Sequence, residues 1–380
     1  LKILHINASY KPAYIYGGPT MSVSKLCEQL VVSGCEIEVF TTTANGKDEL
    51  EVAPGKPALV DGVTVTYFKR LTKDHTHYSP DLLKNLRKRV REFDAVHIHA
   101  WWNLVSVLAC RIAINNQIPV IISPRGTLSL YSFGNKNSFV KRLIHDYLGK
   151  KLLQKSAIHV TSDREKTAIE NLVSPRSIFN IPNFIALPAV SPNSERAEGD
   201  QVKLIFFSRI EQKKGLEILL YALGKCSIDF KLTIAGDGEP DYLTSLKSLA
   251  DNLGVAKNLD WVGFQGANKF DVLRQHDVMI LPSYDENFGN VVIESLSVGT
   301  AVLLSENVGL ANYVQENNLG WVVKNNAESF TEIIEKLPTE RLKLSRIRQQ
   351  APDIIRKDFQ EENLRIQYLH MYQQIIHGNL

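Results

Sequence analysis

Two carboxylates bracket a glycine in the segment Glu286-Asn-Phe-Gly-Asn-Val-Val-Ile-Glu294, a spacing suited to binding an anion and the hydroxyls beside it. A helix starting near Asn290 places Gly289 and its neighbours where free backbone N–H groups can meet an oxyanion. Glu294 then lies on the same helix face as Asn290 and is an acceptor for ribose hydroxyls, while Glu286 on the preceding loop can accept from a sugar. Earlier in the chain, Phe207-Ser-Arg209-Ile-Glu-Gln-Lys-Lys214-Gly215 ends a strand-like run with Arg209 and Lys214, two cations able to neutralise a diphosphate. Taken singly, these are a helix-start acid, a surface acid and two surface cations. Ala235-Gly236-Asp-Gly238 has the small residues that close nucleotide approach needs, or a tight turn. Near the start, Gly17-Gly18-Pro19 precedes a helix, which lets backbone approach a phosphate or sugar and directs a helix dipole at it. It lacks the G-x-G-x-x-G pattern, which argues against a dehydrogenase.

These residues need strand ends to hold them, and the chain supplies them twice. Short Val- and Ile-rich runs alternate with segments of helical period, the pattern of parallel α/β sheets. Strands are expected near 2–7, 36–42, 63–69, 95–100, 120–123 and 158–161, and again near 203–207, 231–235, 259–262, 278–281, 301–304 and 321–323. In the first half, helices are expected near 19–32, 80–92, 103–115, 138–155 and 163–171. The fold class is therefore α/β with two Rossmann-like, doubly wound parallel sheets. The segment from Ile181-Pro-Asn183 through Pro192 to Gly199 is proline-containing and increasingly polar, and is expected to link the domains. A first domain over 1–185, a second over 186–360 and a last helical stretch over 361–380 follow. In open α/β sheets, ligands bind beyond the carboxyl ends of the strands, which is where the glycines, cations and acids above fall.

A chain of 380 residues with 44% hydrophobic and 22% charged residues has globular composition and length for two domains. No apolar run long enough to span a bilayer is present, and a cytoplasmic protein is expected. Cys27, Cys35, Cys110 and Cys226 are scattered without C-x-x-C spacing and read as reduced packing residues. The net charge of +3 hides an asymmetry: to Val190 there are 24 basic and 15 acidic residues, and beyond it 44−24 = 20 basic and 41−15 = 26 acidic. The basic half suits an anionic partner. Its excess concentrates in Lys84–Arg91 and in 139–155, where a basic amphipathic helix could lie on an anionic membrane surface or simply cover a core. No nucleic-acid motif accompanies the charge, so nucleic acid is not an expected partner.

The ordered set resembles the large family of retaining glycosyltransferases known as glycosyltransferase family 4, or glycosyl transferases group 1. The resemblance runs over nearly the whole chain through Gly17-Gly18, Ser123-Pro-Arg-Gly126, Ile181-Pro-Asn183, Arg209 with Lys214-Gly215, Gly236-Asp-Gly238 and the Glu-x7-Glu segment. It implies the GT-B architecture, two such domains facing a central cleft, with the last helix crossing back to the first. It implies that Arg209 and Lys214 bind the donor diphosphate, that Glu294 binds ribose, and that Glu286 with the backbone of Phe288, Gly289, Asn290 and Val291 holds the transferred sugar. Many relatives have a histidine where this chain has Arg125. Arginine stays protonated and cannot serve as a base, so Arg125 is expected to bind an acidic sugar, a phosphate or the acceptor. His99, near the end of its strand beside Trp101-Trp102, is the better of the two histidines, His97 and His99, for an acceptor contact, with a packing role as the alternative.

The expected reaction is retaining transfer of a hexose or N-acetylhexosamine from a nucleotide-diphosphate sugar such as a UDP-sugar to a glycan or lipid-linked acceptor, in bacterial surface polysaccharide or glycolipid assembly. No D-x-D stands where a cation would bridge the phosphates, so metal independence is expected, with no cofactor beyond the donor and an enzyme at most peripheral to the inner membrane face. A nucleotide-sugar epimerase of the same architecture is the rival enzyme. A non-catalytic glycan- or nucleotide-binding module is the rival from another class.

Overall fold

The structure, a computed structural model, describes residues 1–129, 131–132, 149–188, 201–266 and 268–378. The chain divides into two compact units, Leu1–Phe184 together with Glu361–Leu380, and Ile185–Gln360.

In the first unit the strands are β1 (Lys2–Ile6), β2 (Glu36–Thr42), β3 (Ala44–Asn45), β4 (Asp48–Glu49), β5 (Pro57–Val60), β6 (Val63–Phe68), β7 (Ala95–His99), β8 (Val120–Ser123), β9 (Ala157–Val160) and β10 (Ser177–Asn180). Eight of them form one sheet in the order β10-β9-β8-β7-β1-β2-β6-β5, parallel except for β5, while β3 and β4 pair separately. The chain winds outward from β1 to β6, then returns to start again at β7, which makes the β1/β7 boundary the topological switch point. Both faces are covered. Helices Pro80–Arg89, Leu104–Asn115 and Lys150–Gln154 bury one face, and helix Gly18–Val32 with the final helix Glu361–Ile376 buries the other. The caps explain two of the starts: Asn103 accepts from Ser106 N at 2.8 Å, and Ser162 accepts from Glu165 N at 3.2 Å before helix Asp163–Leu172.

The second unit holds β11 (Val202–Phe207), β12 (Phe230–Ala235), β13 (Leu259–Gly263), β14 (Val278–Leu281), β15 (Ala301–Ser305) and β16 (Gly320–Val323), all parallel, in the order β13-β12-β11-β14-β15-β16. Its switch point lies between β11 and β14. The central strands β14 and β15 are buried along their whole length, which is why they read as uninterrupted apolar runs.

Two strands of the first sheet have no counterpart in the sequence expectation. β5 begins at a proline and is largely exposed, and β10 is half-buried at the opposite edge, so neither shows a buried apolar run. Of the basic helix expected over 138–155, the structure describes Lys150–Gln154 as helix; 139–148 lies outside the described residues, as does 189–199 of the expected linker.

Candidate active site

The carboxyl ends of β11 and β14 carry the residues singled out from sequence. After β11 the chain makes one short turn, Gln212–Lys214, and passes Gly215 into helix Leu216–Leu223; after β14 it runs through Pro282 to Glu286. Tyr284 N donates to Lys213 O at 2.9 Å, which stitches the two loops across the switch point. Two ion pairs follow the same line, Lys214 with Glu286 and Lys213 with Asp285, the latter at 2.9 Å. Lys214, Glu286 and Asp285 are all shielded from solvent for most of their side chains. Glu286 is also fixed by its backbone, donating to Asn307 O at 3.1 Å and accepting from Gly309 N at 2.8 Å. Arg209 is half exposed and rests on Glu211 at 3.1 Å.

Glycines let these loops meet. Gly215 has φ +69, and a Cβ there would lie 2.1 Å from Pro282 O; at Gly236 a Cβ would lie 1.9 Å from Ser208 O. Gly238 similarly abuts the carbonyl of Ile210. The need for glycine at 236 and 238 thus comes from the packing of the β11 and β12 loops on each other, whatever else those loops bind.

Gly289, at φ +91, is the N-cap of a helix of 7 residues, Asn290–Leu296. Phe288 turns its ring into the core against Phe359, with centroids 6.3 Å apart, so that only its backbone is offered to a ligand. Glu294, on that helix, accepts from Lys269 Nζ at 2.6 Å. The second unit therefore groups Lys214, Glu286 and Lys213 at its switch point, with Arg209 on the same β11 loop and Glu294 on the helix that follows the β14 loop. Lys213, Asp285 and Lys269 carry no signal in the sequence, since a single charged residue has no periodicity to mark it.

In the first unit the switch-point strands carry histidines in place of aliphatic residues. His5 of β1, His97 and His99 of β7, Ser123 of β8 and His159 of β9 are all fully or almost fully buried. His5 Nδ1 and His99 Nε2 are 2.9 Å apart, His97 Nε2 and Ser123 Oγ 2.7 Å, and Ser123 Oγ and His159 Nδ1 2.6 Å. The final helix contributes Tyr372, whose hydroxyl is 2.6 Å from His97 Nδ1 and 3.4 Å from His5 Nε2, and Tyr368, 3.1 Å from His159 Nε2. Burial drives His5 and His159 down to about 3 and His97 and His99 well below the usual imidazole range, with the charge of Arg125 acting in the same direction. All four rings are neutral at physiological pH.

Arg125 sits in the turn after β8 at φ +52. Its guanidinium points into buried polar groups: Nε donates to His99 Nδ1 at 3.2 Å, and Nη1 to Ser22 Oγ at 2.9 Å and Asn183 Oδ1 at 3.0 Å. Nη2 is buried without a partner among the described residues. Two expectations change here. His99, the candidate for an acceptor contact, takes the alternative packing role: it has no solvent exposure and both ring nitrogens engaged, because it lies beneath Arg125. Arg125 itself ties together the ends of β7 and β8, the helix after β1 and the segment after β10. His5, His97 and His99 bring ring nitrogens within 4.8 Å of one another, a spacing that a metal ion could use. Every one of those six nitrogens already has a protein partner, however, and the neighbouring guanidinium repels a cation. Gly17, at φ +64, caps helix Gly18–Val32, whose second turn supplies Ser22 to Arg125.

The basic stretches share one face of this sheet. Helix Pro80–Arg89 packs on Leu104–Asn115, which packs on Lys150–Gln154, and Lys84, Arg87, Lys88, Arg111, Lys150 and Lys151 are exposed along them. None of these six is in an ion pair among the described residues. No described helix is long and apolar enough to cross a membrane.

With this geometry in place, two family models divide nearly the whole chain: Glycosyltransferase Family 4 matches residues 16–187, and Glycosyl transferases group 1 matches residues 190–353. The chain belongs to this glycosyltransferase family. An uncharacterised glycosyltransferase of Methanocaldococcus jannaschii is 25% identical, covering 89% of each chain, and the D-inositol 3-phosphate glycosyltransferase of Mycolicibacterium smegmatis is 24% identical over 85% of this chain and 80% of its own. Among solved structures, the HepE protein of Anabaena in complex with UDP and glucose superposes with a TM-score of 0.75 at 17% identity, covering 98% of this chain and 100% of that one. The fold of this glycosyltransferase is thus GT-B. The boundary between the two matches falls in the segment that follows Asn183, where one sheet has been completed and the next has not begun.

Proposed function

We propose that the chain catalyses metal-independent, retaining transfer of a hexosyl or N-acetylhexosaminyl group from a nucleoside-diphosphate sugar to a glycan or lipid-linked acceptor. The observation that carries this reading is the Lys214–Glu286 ion pair at the switch point of the second sheet, where open α/β sheets take ligands. In the free protein the two side chains neutralise each other. A donor would divide them, its diphosphate taking Lys214 together with Arg209 and its sugar hydroxyls taking Glu286. Glu294, held by Lys269, would accept from the ribose, and the backbone of Gly289, Asn290 and Val291 would lie along the sugar and phosphate. In the transfer, the bond between the anomeric carbon and the diphosphate oxygen breaks, the acceptor oxygen bonds to that carbon from the same face, and the hydroxyl proton leaves with the diphosphate. Orientation and neutralisation of the departing charge supply the acceleration. The UDP and glucose bound by the HepE protein support a UDP-sugar as donor.

The test is a thermal-shift screen of UDP-, GDP- and ADP-sugars, followed by turnover with and without saccharide acceptors in the presence of a chelator. One donor should raise the melting temperature and be consumed with retained anomeric configuration. An inverted product, activity abolished by chelation, or a donor isomerised without acceptor would each overturn part of this reading, the last in favour of an epimerase.

The basic face of the first unit, free of ion pairs at Lys84, Arg87, Lys88, Arg111, Lys150 and Lys151 among the described residues, supports an acceptor displayed at an anionic membrane, as in surface polysaccharide or glycolipid assembly. The protein should sediment with vesicles containing anionic lipid and be released by salt. Failure to sediment, with full activity on a soluble neutral sugar, would count against membrane placement.

A further inference from the structure

The hydrogen-bond chain beneath Arg125 can run in one direction only. Arg125 has only donors, so His99 Nδ1 must accept from it and His99 must carry its proton on Nε2. That proton is donated to His5 Nδ1, which leaves the His5 proton on Nε2, facing the Tyr372 hydroxyl. Having accepted from His5, Tyr372 donates to His97 Nδ1; His97 Nε2–H then donates to Ser123, and the Ser123 hydroxyl to His159 Nδ1. His159 Nε2–H ends on the carbonyl oxygen of Ile181 at 2.9 Å.

The far end gives the same answer independently. A carbonyl can only accept, and the Tyr368 hydroxyl beside it donates to Pro182 O, so His159 donates from Nε2, and stepping back through Ser123, His97 and Tyr372 reproduces each assignment. Reversing the chain would set Arg125 Nε–H against His99 Nδ1–H at one end and a bare His159 nitrogen against a carbonyl at the other. A doubly protonated ring anywhere along it would present a proton to a neighbour that is already donating.

We propose that His99, His5, Tyr372, His97, Ser123 and His159 form one directed chain that holds Arg125 in place, which makes Tyr372 a positioning residue for the transfer reaction. The role of Tyr372 follows from its place in the chain. Among the described residues it is the only hydrogen-bonded link between the His99–His5 half and the His97–Ser123–His159 half, whose rings otherwise touch only in tilted contacts, and it comes from the final helix, 275 residues beyond His97. Arg125 gathers the ends of β7 and β8, the helix after β1 and the segment after β10, at the carboxyl edge of the sheet, where open α/β sheets take ligands. Loss of the Tyr372 hydroxyl leaves His5 Nε2–H without an acceptor and His97 Nδ1 without a donor, and the two rings can satisfy themselves only by turning, which releases His99 from Arg125. The inference rests on the first unit being the acceptor side of the reaction proposed above.

Two measurements test it. Histidine-selective 15N labelling with long-range 1H–15N correlation reads tautomers directly, and His5, His97, His99 and His159 should all show Nε2–H with Nδ1 unprotonated; an Nδ1–H form at any of the four overturns the directed chain. In kinetics, Tyr372→Phe should lower kcat for transfer about tenfold or more while leaving the donor KM within about twofold, since the donor-binding groups belong to the other unit. Arg125→Gln, which can still donate to His99 Nδ1, should retain more activity than the similarly sized Arg125→Met, which cannot. Unchanged kcat in Tyr372→Phe, or equal activity of the two Arg125 variants, overturns the positioning role. If Tyr372→Phe does not fold, the Arg125 pair decides. A wild-type protein that turns over no sugar donor would defeat the proposed function instead, and the tautomer measurement would still stand or fall alone.

Discussion

Lys214 and Glu286, 72 residues apart, meet as an ion pair between the loops that leave β11 and β14. A partly buried pair of this kind is weak evidence for stability, because desolvation offsets most of its attraction, and it is therefore free to be exchanged for a ligand's charges at small net cost. Lys214→Ala should lower kcat/KM for transfer by about 10²-fold or more, since it removes a cation from the developing diphosphate. Arg209→Ala, more exposed and resting on Glu211, should cost less. Steady-state kinetics with both variants checks the clamp; near-normal turnover by both would remove it.

Glu294 and Lys269 form a further partly buried ion pair of this unit, at 2.6 Å. If Glu294 holds ribose, Glu294→Gln should weaken a nucleoside diphosphate by about 1–3 kcal/mol, and a 2′,3′-dideoxy nucleotide should not discriminate between wild type and variant. Calorimetric titration of both nucleotides measures this. Equal loss for both would mean that Glu294 serves the loop and not the ligand.

The apolar strands around these groups could be read from sequence because parallel strands buried on both faces leave continuous Val, Ile and Leu runs. The donor loops could be read because strand-end glycines and charges follow such runs directly. The groups that stayed hidden depend on tertiary pairing. Lys213 and Lys269 look like any surface lysine until Asp285 and Glu294 are placed beside them. His5, His97 and His159 did leave a signal, a titratable ring inside an otherwise aliphatic strand. Their partners Tyr368 and Tyr372 lie on the last helix, where nothing local announces which strand they will meet. The inward turn of Arg125 has the same origin, since Ser22 and Asn183 are 103 and 58 residues away from it.

Gly215 should tolerate no side chain. Its φ of +69 and the Pro282 carbonyl, 2.1 Å from where a Cβ would stand, leave an alanine only the option of pushing the β11 and β14 loops apart. Gly215→Ala should lose on the order of 2 kcal/mol of stability and weaken the sugar donor together with it. A shifted urea midpoint with unchanged donor affinity would show that the two loops do not need their present spacing to bind.

The buried histidines set the acid limb of stability. His5 and His159 are held at about 3 in the folded protein against about 6.5 in the unfolded chain, with His97 and His99 displaced the same way. Between those values the unfolded chain binds more protons, so stability is complete above pH 6.5 and is lost as pH falls toward 3. Each ring contributes up to about 1.4 kcal/mol per pH unit in that window. The melting temperature should therefore hold between pH 8 and 7 and drop steeply below 6. Burial is the larger cause of the depression and the Arg125 charge the next or a later one, so Arg125→Gln should make the fall shallower without abolishing it. A flat profile from pH 7 to 5 in the wild type would mean that protons reach these rings in the folded state, which the closed chain of bonds from Arg125 to Ile181 does not permit.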